Sequence, residues 1–108
     1  NSDQPKNSDI EAIGLSVTEI TKSMREQYNV PNDIRGVLVI GVAAGTGSAK
    51  KGLKPGDIIV EVNQEEVSLP DQIIAKINDA IKNGRNSILL LVNSNGNLKF
   101  YAIRIDKN

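Results

Sequence analysis

The side chains that could do chemistry in this chain are carboxylates, hydroxyls and amines, because it contains no histidine and no cysteine. Without an imidazole, no serine can pass its proton to a base in a Ser-His-Asp triad. Without thiols, there is no cysteine nucleophile, no disulfide and no structural zinc site of the usual kind. A metal site made only of carboxylates would need a dense Asp/Glu cluster, which the sequence lacks. We therefore predict a non-enzyme with no catalytic residues, no cofactor and no bound metal.

The glycine-rich segment from Gly45 to Gly52, GTGSAKKG, is where the sequence comes nearest to a phosphate-binding loop. Its glycines do not fit the spacing G-x-G-x-x-G, and no G-K-[ST] is present for a P-loop. Ser48 is predicted to cap a single helical turn, too short to offer phosphate a helix N-terminus. The segment is interpreted as a tight strand-to-helix turn. Asp57, after a Pro-Gly pair, is a lone carboxylate that is predicted to cap turn amides.

The charge balance argues against nucleic-acid and membrane partners. Lys plus Arg number 13 and Asp plus Glu number 13, so the formal net charge is zero. Proteins that bind nucleic acid usually carry excess positive charge, because neutralising phosphates supplies much of their affinity. No segment approaches the ~18 consecutive apolar residues of a membrane span. A length of 108 residues with 39% hydrophobic residues is typical of a single folded domain.

Hydrophobic periodicity divides the chain into a polar leader and one domain. Residues 1–9 contain Pro5 and no apolar pattern, which predicts a flexible leader or linker, with the domain spanning 10–106. Strand-length apolar segments are separated by turn residues such as Asn95-Gly96. An apolar stripe predicts one long helix from about Pro70 to Lys82, and a short helix is predicted to begin after Thr21. The expected fold is mixed α/β and mainly β, with five or six strands, one long helix and one or two short helices.

The triplet Ile13-Gly14-Leu15 and the long helix together indicate a binding groove. A glycine between apolar residues at the start of a strand lets another backbone approach closely. If that strand is an edge, its free N–H and C=O groups can pair with a peptide strand. Ile73 and Ile74 diverge by about 100° on the helix, so one is expected to face the core and the other the groove. The alternative interpretation is that both are simply buried.

Several segments occur in an order that carries more information than their composition. They are AIGLSV at Ala12–Val17, RGVLV at Arg35–Val39, GSAKKGLKPGDII at Gly47–Ile59, and Val62-Asn63 followed by Val67. This order resembles the PDZ domains of bacterial HtrA/Deg (Do-like) serine proteases, and the part from Gly52 onward resembles that family's GLxPGDvIxxvN pattern. The ending, with Leu90-Leu91-Val92, an Asn-Gly turn and Phe100-Tyr101-Ala102, resembles the second, C-terminal PDZ domain of these proteases.

The resemblance implies a PDZ-like, partly open antiparallel barrel that recognises apolar or C-terminal polypeptide segments. The peptide would add as a strand between the first strand and the long helix. Backbone N–H groups of the loop Ala12-Ile13-Gly14-Leu15 would hold its terminal carboxylate, as a nest holds an anion. Its last apolar side chain would enter a pocket lined in part by Ile73 and Ile77 of the helix, with Ile74 as an alternative to Ile73. The implied peptide-binding residues are Ala12, Ile13, Gly14, Leu15, Ser16, Val17, Ile73 and Ile77.

The resemblance also implies a context for the domain. The parent protein would be a periplasmic serine endopeptidase of protein quality control, and a homo-oligomer. The implied partners are segments or C-termini of misfolded proteins and other domains of the same protease. Asp9 and Glu11 flank the loop, and a negative charge opposes an incoming carboxylate by about 1 kcal/mol at ~4 Å in water. The alternative function is therefore an assembly module that docks onto other domains of neighbouring protomers.

Overall fold

The computed structural model describes residues 7–105, which form seven β-strands and three α-helices. The strands are β1 (Asn7–Ile10), β2 (Leu15–Glu19), β3 (Val37–Val42), β4 (Ile58–Val62), β5 (Glu65–Glu66), β6 (Ser87–Ser94) and β7 (Asn97–Arg104). The helices are α1 (Lys22–Gln27), α2 (Gly47–Lys51) and α3 (Pro70–Lys82). None of the helices within this part of the chain is long and apolar enough to cross a membrane.

The strands form one open antiparallel sheet in the order β1-β2-β3-β4-β6-β7, with the short β5 paired to β4. The register shifts between Ser16 and Val17 in β2, and between Ile59 and Glu61 in β4. Such irregularities increase the twist of a strand and let a sheet curl. The predicted class, mixed α/β and mainly β, is confirmed.

The main core lies where the sheet meets α3. The helix contributes Ile73, Ile77 and Ala80, each at most 3% exposed, and its Cα atoms lie within 8 Å of Cα atoms of β1, β2 and β6. The helix begins at Pro70, where the Gln72 Oε1 atom accepts hydrogen bonds from the backbone N–H groups just before it. The apolar stripe read from the sequence is therefore the face that fixes α3 against the sheet.

The N-terminal boundary differs from the prediction. Residues 1–6 of the predicted leader lie outside the described residues, and Asn7–Ile10 form β1, so the predicted boundary at residue 10 falls inside a strand. β1 pairs with β2 from Asn7↔Thr18 to Ile10↔Leu15. Three of its four residues are polar, so the strand is defined by backbone pairing and gives no apolar alternation that a sequence pattern could detect.

Candidate functional site

The loop that joins β1 to β2, residues 11–14, is the centre of the predicted site. The carbonyl oxygen of Ile10 accepts hydrogen bonds from the Gly14 N–H at 2.8 Å and from the Ile13 N–H at 3.3 Å. Converging backbone N–H groups are the kind of donor that holds a carboxylate oxygen. The loop N–H groups that were predicted to bind a peptide carboxylate therefore do converge on one point. In this structure the Ile10 carbonyl oxygen lies at that point.

A buried hydroxyl holds this loop from behind. The Ser48 Oγ atom donates to the Ile13 carbonyl oxygen at 2.6 Å, and Ser48 is fully buried. The prediction that Ser48 caps α2 is wrong, because Thr46 is the N-cap and its Oγ1 atom accepts from the Ala49 N–H. The helix starts two residues earlier than expected, which directs the Ser48 side chain at the loop.

Gly14 is at a position where only glycine fits. Its φ is +72°, a left-handed conformation that residues with a side chain rarely adopt. A Cβ atom at Gly14 would lie 2.3 Å from Thr46 Cγ2 and 2.5 Å from Thr46 Cβ. The Gly14 carbonyl oxygen accepts from the Ala43 N–H at 2.8 Å. The loop is thus packed against the turn that precedes α2.

The apolar side chains predicted for the peptide site are buried in the main core. Gly14 is also buried, whereas Ala12 and Ser16 are half-buried. Between the two alternatives on α3, Ile73 is the core residue at 0% exposure, and Ile74 is half-buried against the core. The predicted side chains that the structure brings together in one buried cluster are Ile13, Leu15, Val17, Ile73 and Ile77.

The strand predicted to offer a free edge has both edges paired. β3 pairs with one edge of β2, and β1 pairs with the other. Cα atoms of α3 lie within 8 Å of those of β1 as well as β2. The condition stated for peptide pairing, a free edge on this strand, is therefore not met in the structure, because β1 pairs with that edge.

Positive charges missed in the sequence lie near the loop. Lys50 and Lys51 of α2 and Arg104 of β7 line a cleft of about 950 Å³ together with Glu11 and Ala12. The prediction of negative charge around the loop was based only on residues adjacent to it in sequence. Since the cations come from other elements, a local pattern could not reveal them. Their positive charges reduce the repulsion that Glu11 exerts on an approaching anion.

The carboxylates of Asp57 and Glu65 have structural partners. Asp57 accepts from the Lys54 N–H at 3.2 Å, which confirms that it caps a turn amide. The Lys76 ammonium of α3 donates to Glu65 of β5, and this hydrogen bond together with the positive charge lowers the pKa of Glu65. Within residues 7–105, no three Asp or Glu residues are grouped so as to hold a metal ion.

An apolar surface covers the outer face of the β6–β7 hairpin. Leu98 and Phe100 are 58% and 59% exposed. The register places Phe100 opposite the half-buried Leu91, and Ala102 opposite the half-buried Leu89. Opposed residues share a face of the sheet, so these side chains form one patch. We call these five residues the hairpin patch.

Comparison with known families and proteins identifies the family to which this fold corresponds. The family model of the PDZ domain matches residues 4–93. A probable periplasmic serine endoprotease, DegP-like, of Chlamydia trachomatis is 30% identical over 99 residues, covering 91% of this chain and 19% of that protein. A protein with the same description from Bartonella henselae is 40% identical over 72 residues, covering 67% of this chain and 14% of its own length. The chain therefore spans less than a fifth of these relatives.

Two solved structures share the fold. The HtrA-type protease AlgW with a decapeptide superposes with a TM-score of 0.73 at 21% identity, covering 94% of this chain and 29% of AlgW. The HtrA3 PDZ domain bound to a phage-derived ligand, FGRWV, superposes with a TM-score of 0.68 at 24% identity, covering 95% and 88% of the two chains. At these identities the superpositions establish the common architecture.

Proposed function

The chain belongs to the PDZ domain family, and we propose that it is a peptide-binding module of a larger Do-like serine endoprotease. The module itself is a binding domain and does no catalysis. The parent activity and a periplasmic location are inferred from relatives named as probable periplasmic serine endoproteases, and homo-oligomeric assembly is proposed from the resemblance of the sequence to HtrA/Deg proteases. The proposed ligands are apolar or C-terminal segments of misfolded polypeptides.

One observation carries the proposed binding mode: the Ile13 and Gly14 N–H groups converge on one oxygen just before β2 begins, and Cα atoms of β2 lie within 8 Å of those of α3. A peptide lying antiparallel to β2 brings its terminal carboxylate to these donors. The backbone of Ala12–Val17 then supplies the pairing groups, and Ile73 and Ile77 form the apolar floor. The cations of the neighbouring cleft favour an approaching carboxylate.

The direct test uses FGRWV, the ligand seen with the HtrA3 PDZ domain, as free acid and as C-terminal amide. Calorimetric titration should show binding of the acid, with the amide weaker by about 10- to 100-fold. That factor corresponds to the loss of a charged hydrogen-bond acceptor, about 1.5–3 kcal/mol. Equal affinities would contradict carboxylate capture. Failure of both peptides to bind, even after β1 is separated from β2, would contradict the function.

The hairpin patch favours a second candidate function, docking onto another domain of a neighbouring protomer. Exposed apolar patches on folded domains commonly mark contact surfaces. Phe100 and Leu98 are the most exposed large apolar side chains of the described residues. In the parent protease, Leu98→Ser/Phe100→Ser should reduce the sedimentation coefficient of the oligomer. An unchanged assembly would exclude this surface as an assembly contact.

A further inference from the structure

β1 runs along β2 as a bound peptide would. The two strands are antiparallel, from Asn7↔Thr18 to Ile10↔Leu15, so β1 ends at the loop where a peptide terminus would end. Cα atoms of α3 lie within 8 Å of those of β1. An additional strand needs about 4.8 Å on each side. β1 therefore occupies the edge of β2 that β3 leaves free, and it does so close to α3.

The last residue of β1 resembles the last residue of a ligand. The Ile10 side chain is 4% exposed and belongs to the core cluster that contains Ile73 and Ile77. Its carbonyl oxygen accepts from the N–H groups of Ile13 and Gly14. Strand direction, apolar anchor and oxygen position are thus those that the proposed binding mode requires of a C-terminal segment ending in a β-branched aliphatic residue.

Few buried side-chain contacts hold β1 in place. Asn7 and Asp9 are exposed, Ser8 is half-buried, and Ile10 alone of the four residues is buried. The side-chain contact is an exposed hydrogen bond from the Ser16 Oγ atom to the Asp9 Oδ1 atom at 2.7 Å. Short edge elements with few buried contacts open at a small part of the global unfolding free energy.

We propose that β1 is an intramolecular ligand mimic, which holds the peptide site until a C-terminal segment ending in an aliphatic residue displaces it. This inference rests on the proposed peptide-binding function. When β1 blocks the site, the apparent affinity for a peptide equals the intrinsic affinity multiplied by the fraction of molecules in which β1 has left β2. Any condition that frees β1 then increases peptide binding without altering a contact to the peptide.

The first test fixes β1 in place with a disulfide. Asp9 and Ser16 are directly opposed in the register and their side chains touch. Opposed residues have Cβ atoms about 4.5–5.5 Å apart, close to what a disulfide needs. Since the chain has no natural cysteine, Asp9→Cys/Ser16→Cys introduces the only thiols, and the two single-cysteine variants are the controls. Persistence of free thiols after oxidation would show that β1 does not lie beside β2 and would overturn the proposal.

The second test releases β1. Neighbouring N–H groups of a strand point to opposite edges, so Ser8→Pro/Asp9→Pro removes at least one donor to β2. Ile10 is kept, and circular dichroism with cooperative urea unfolding confirms that the domain is folded. If β1 leaves β2 in about one wild-type molecule in ten, its release should increase the affinity for FGRWV about tenfold.

The mimic also predicts a ligand. The peptide KNSDI, which has the sequence of residues 6–10, should compete with FGRWV for the proline variant when its carboxylate is free. KNSDG should not compete, because it lacks the apolar last side chain. Competition by both peptides or by neither, while FGRWV itself binds, would overturn the mimicry.

Binding of FGRWV to the oxidised double-cysteine variant shows whether β1 blocks the peptide site. We expect it to be at least tenfold weaker than to the reduced form, with recovery in dithiothreitol. Equal binding overturns the ligand mimic and leaves the peptide-binding function standing. Binding by the proline variant alone supports the mimic and shows that β1 closes the wild-type site. No binding by any folded form overturns both.

Discussion

Replacing Gly14 by alanine tests whether the loop is held as described. Two separate effects add at this position. The left-handed φ of +72° costs a residue with a side chain about 1–2 kcal/mol. The new Cβ atom would also lie 2.3 Å from Thr46 Cγ2, and forcing such an overlap costs a further ~1–3 kcal/mol. Gly14→Ala should therefore lower the free energy of unfolding by about 2–5 kcal/mol.

Gly45 provides the matched control. Its φ is +81°, but a Cβ atom built there meets nothing within 4 Å. Gly45→Ala should cost only the backbone strain, about 1–2 kcal/mol. The difference between the two variants isolates the contact with Thr46. Urea unfolding followed by circular dichroism measures both, with linear extrapolation to water.

A second substitution removes the overlap itself. Glycine at a helix N-cap costs only a few tenths of a kcal/mol relative to threonine. In a Thr46→Gly background, Gly14→Ala should therefore cost only the ~1–2 kcal/mol of strain. Contact between a Cβ atom at position 14 and Thr46 would be contradicted if Gly14→Ala destabilised the domain no more than Gly45→Ala, or if Thr46→Gly left the cost of Gly14→Ala unchanged.

Ser48→Ala should lower the unfolding free energy by about 1–3 kcal/mol, since a buried loop carbonyl loses its donor; a loss below 0.5 kcal/mol in urea unfolding would show that this bond is replaceable. Asp57→Ala should cost a similar amount, whereas Asp57→Asn, which keeps an acceptor for the Lys54 N–H, should cost less in the same assay. Lys76 lowers the pKa of Glu65 from its ordinary 4.5, so this pair stabilises the fold above pH 4.5 and the contribution is lost as the pH falls through the folded pKa. Glu65→Gln should flatten that part of the pH–stability curve, and parallel curves would contradict the pairing.

Elements defined by packing could be predicted from the sequence. The stripe that includes Ile73 and Ile77 predicted α3 with its observed bounds, and β3 appeared as a continuous apolar run. Their signal is strong because burial of one face requires apolar residues at fixed spacing. The fold class followed from such elements together with the GLKPGDII resemblance.

The state of the site could not be predicted in the same way. Asn7-Ser8-Asp9 joins the sheet through backbone hydrogen bonds, which every residue type except proline can make. No local pattern reports whether an edge of β2 is free. The cations of the cleft were also missed, because Lys50 and Arg104 come together with Ala12 only after folding. The pairing of β1 and the grouping of the cations both depend on contacts between separate elements of the fold, which a local sequence pattern does not report.

Pairing of β1 with β2 has a consequence for solubility. An exposed strand edge beside an apolar floor recruits extended chains of almost any sequence, which is how sheets begin to aggregate. The peptide-binding role proposed above would bring the domain into contact with unfolded polypeptides and so with this hazard. In the structure β1 covers this edge of β2, and Ile73 and Ile77 are buried, so the edge is closed to extended chains for as long as β1 stays paired.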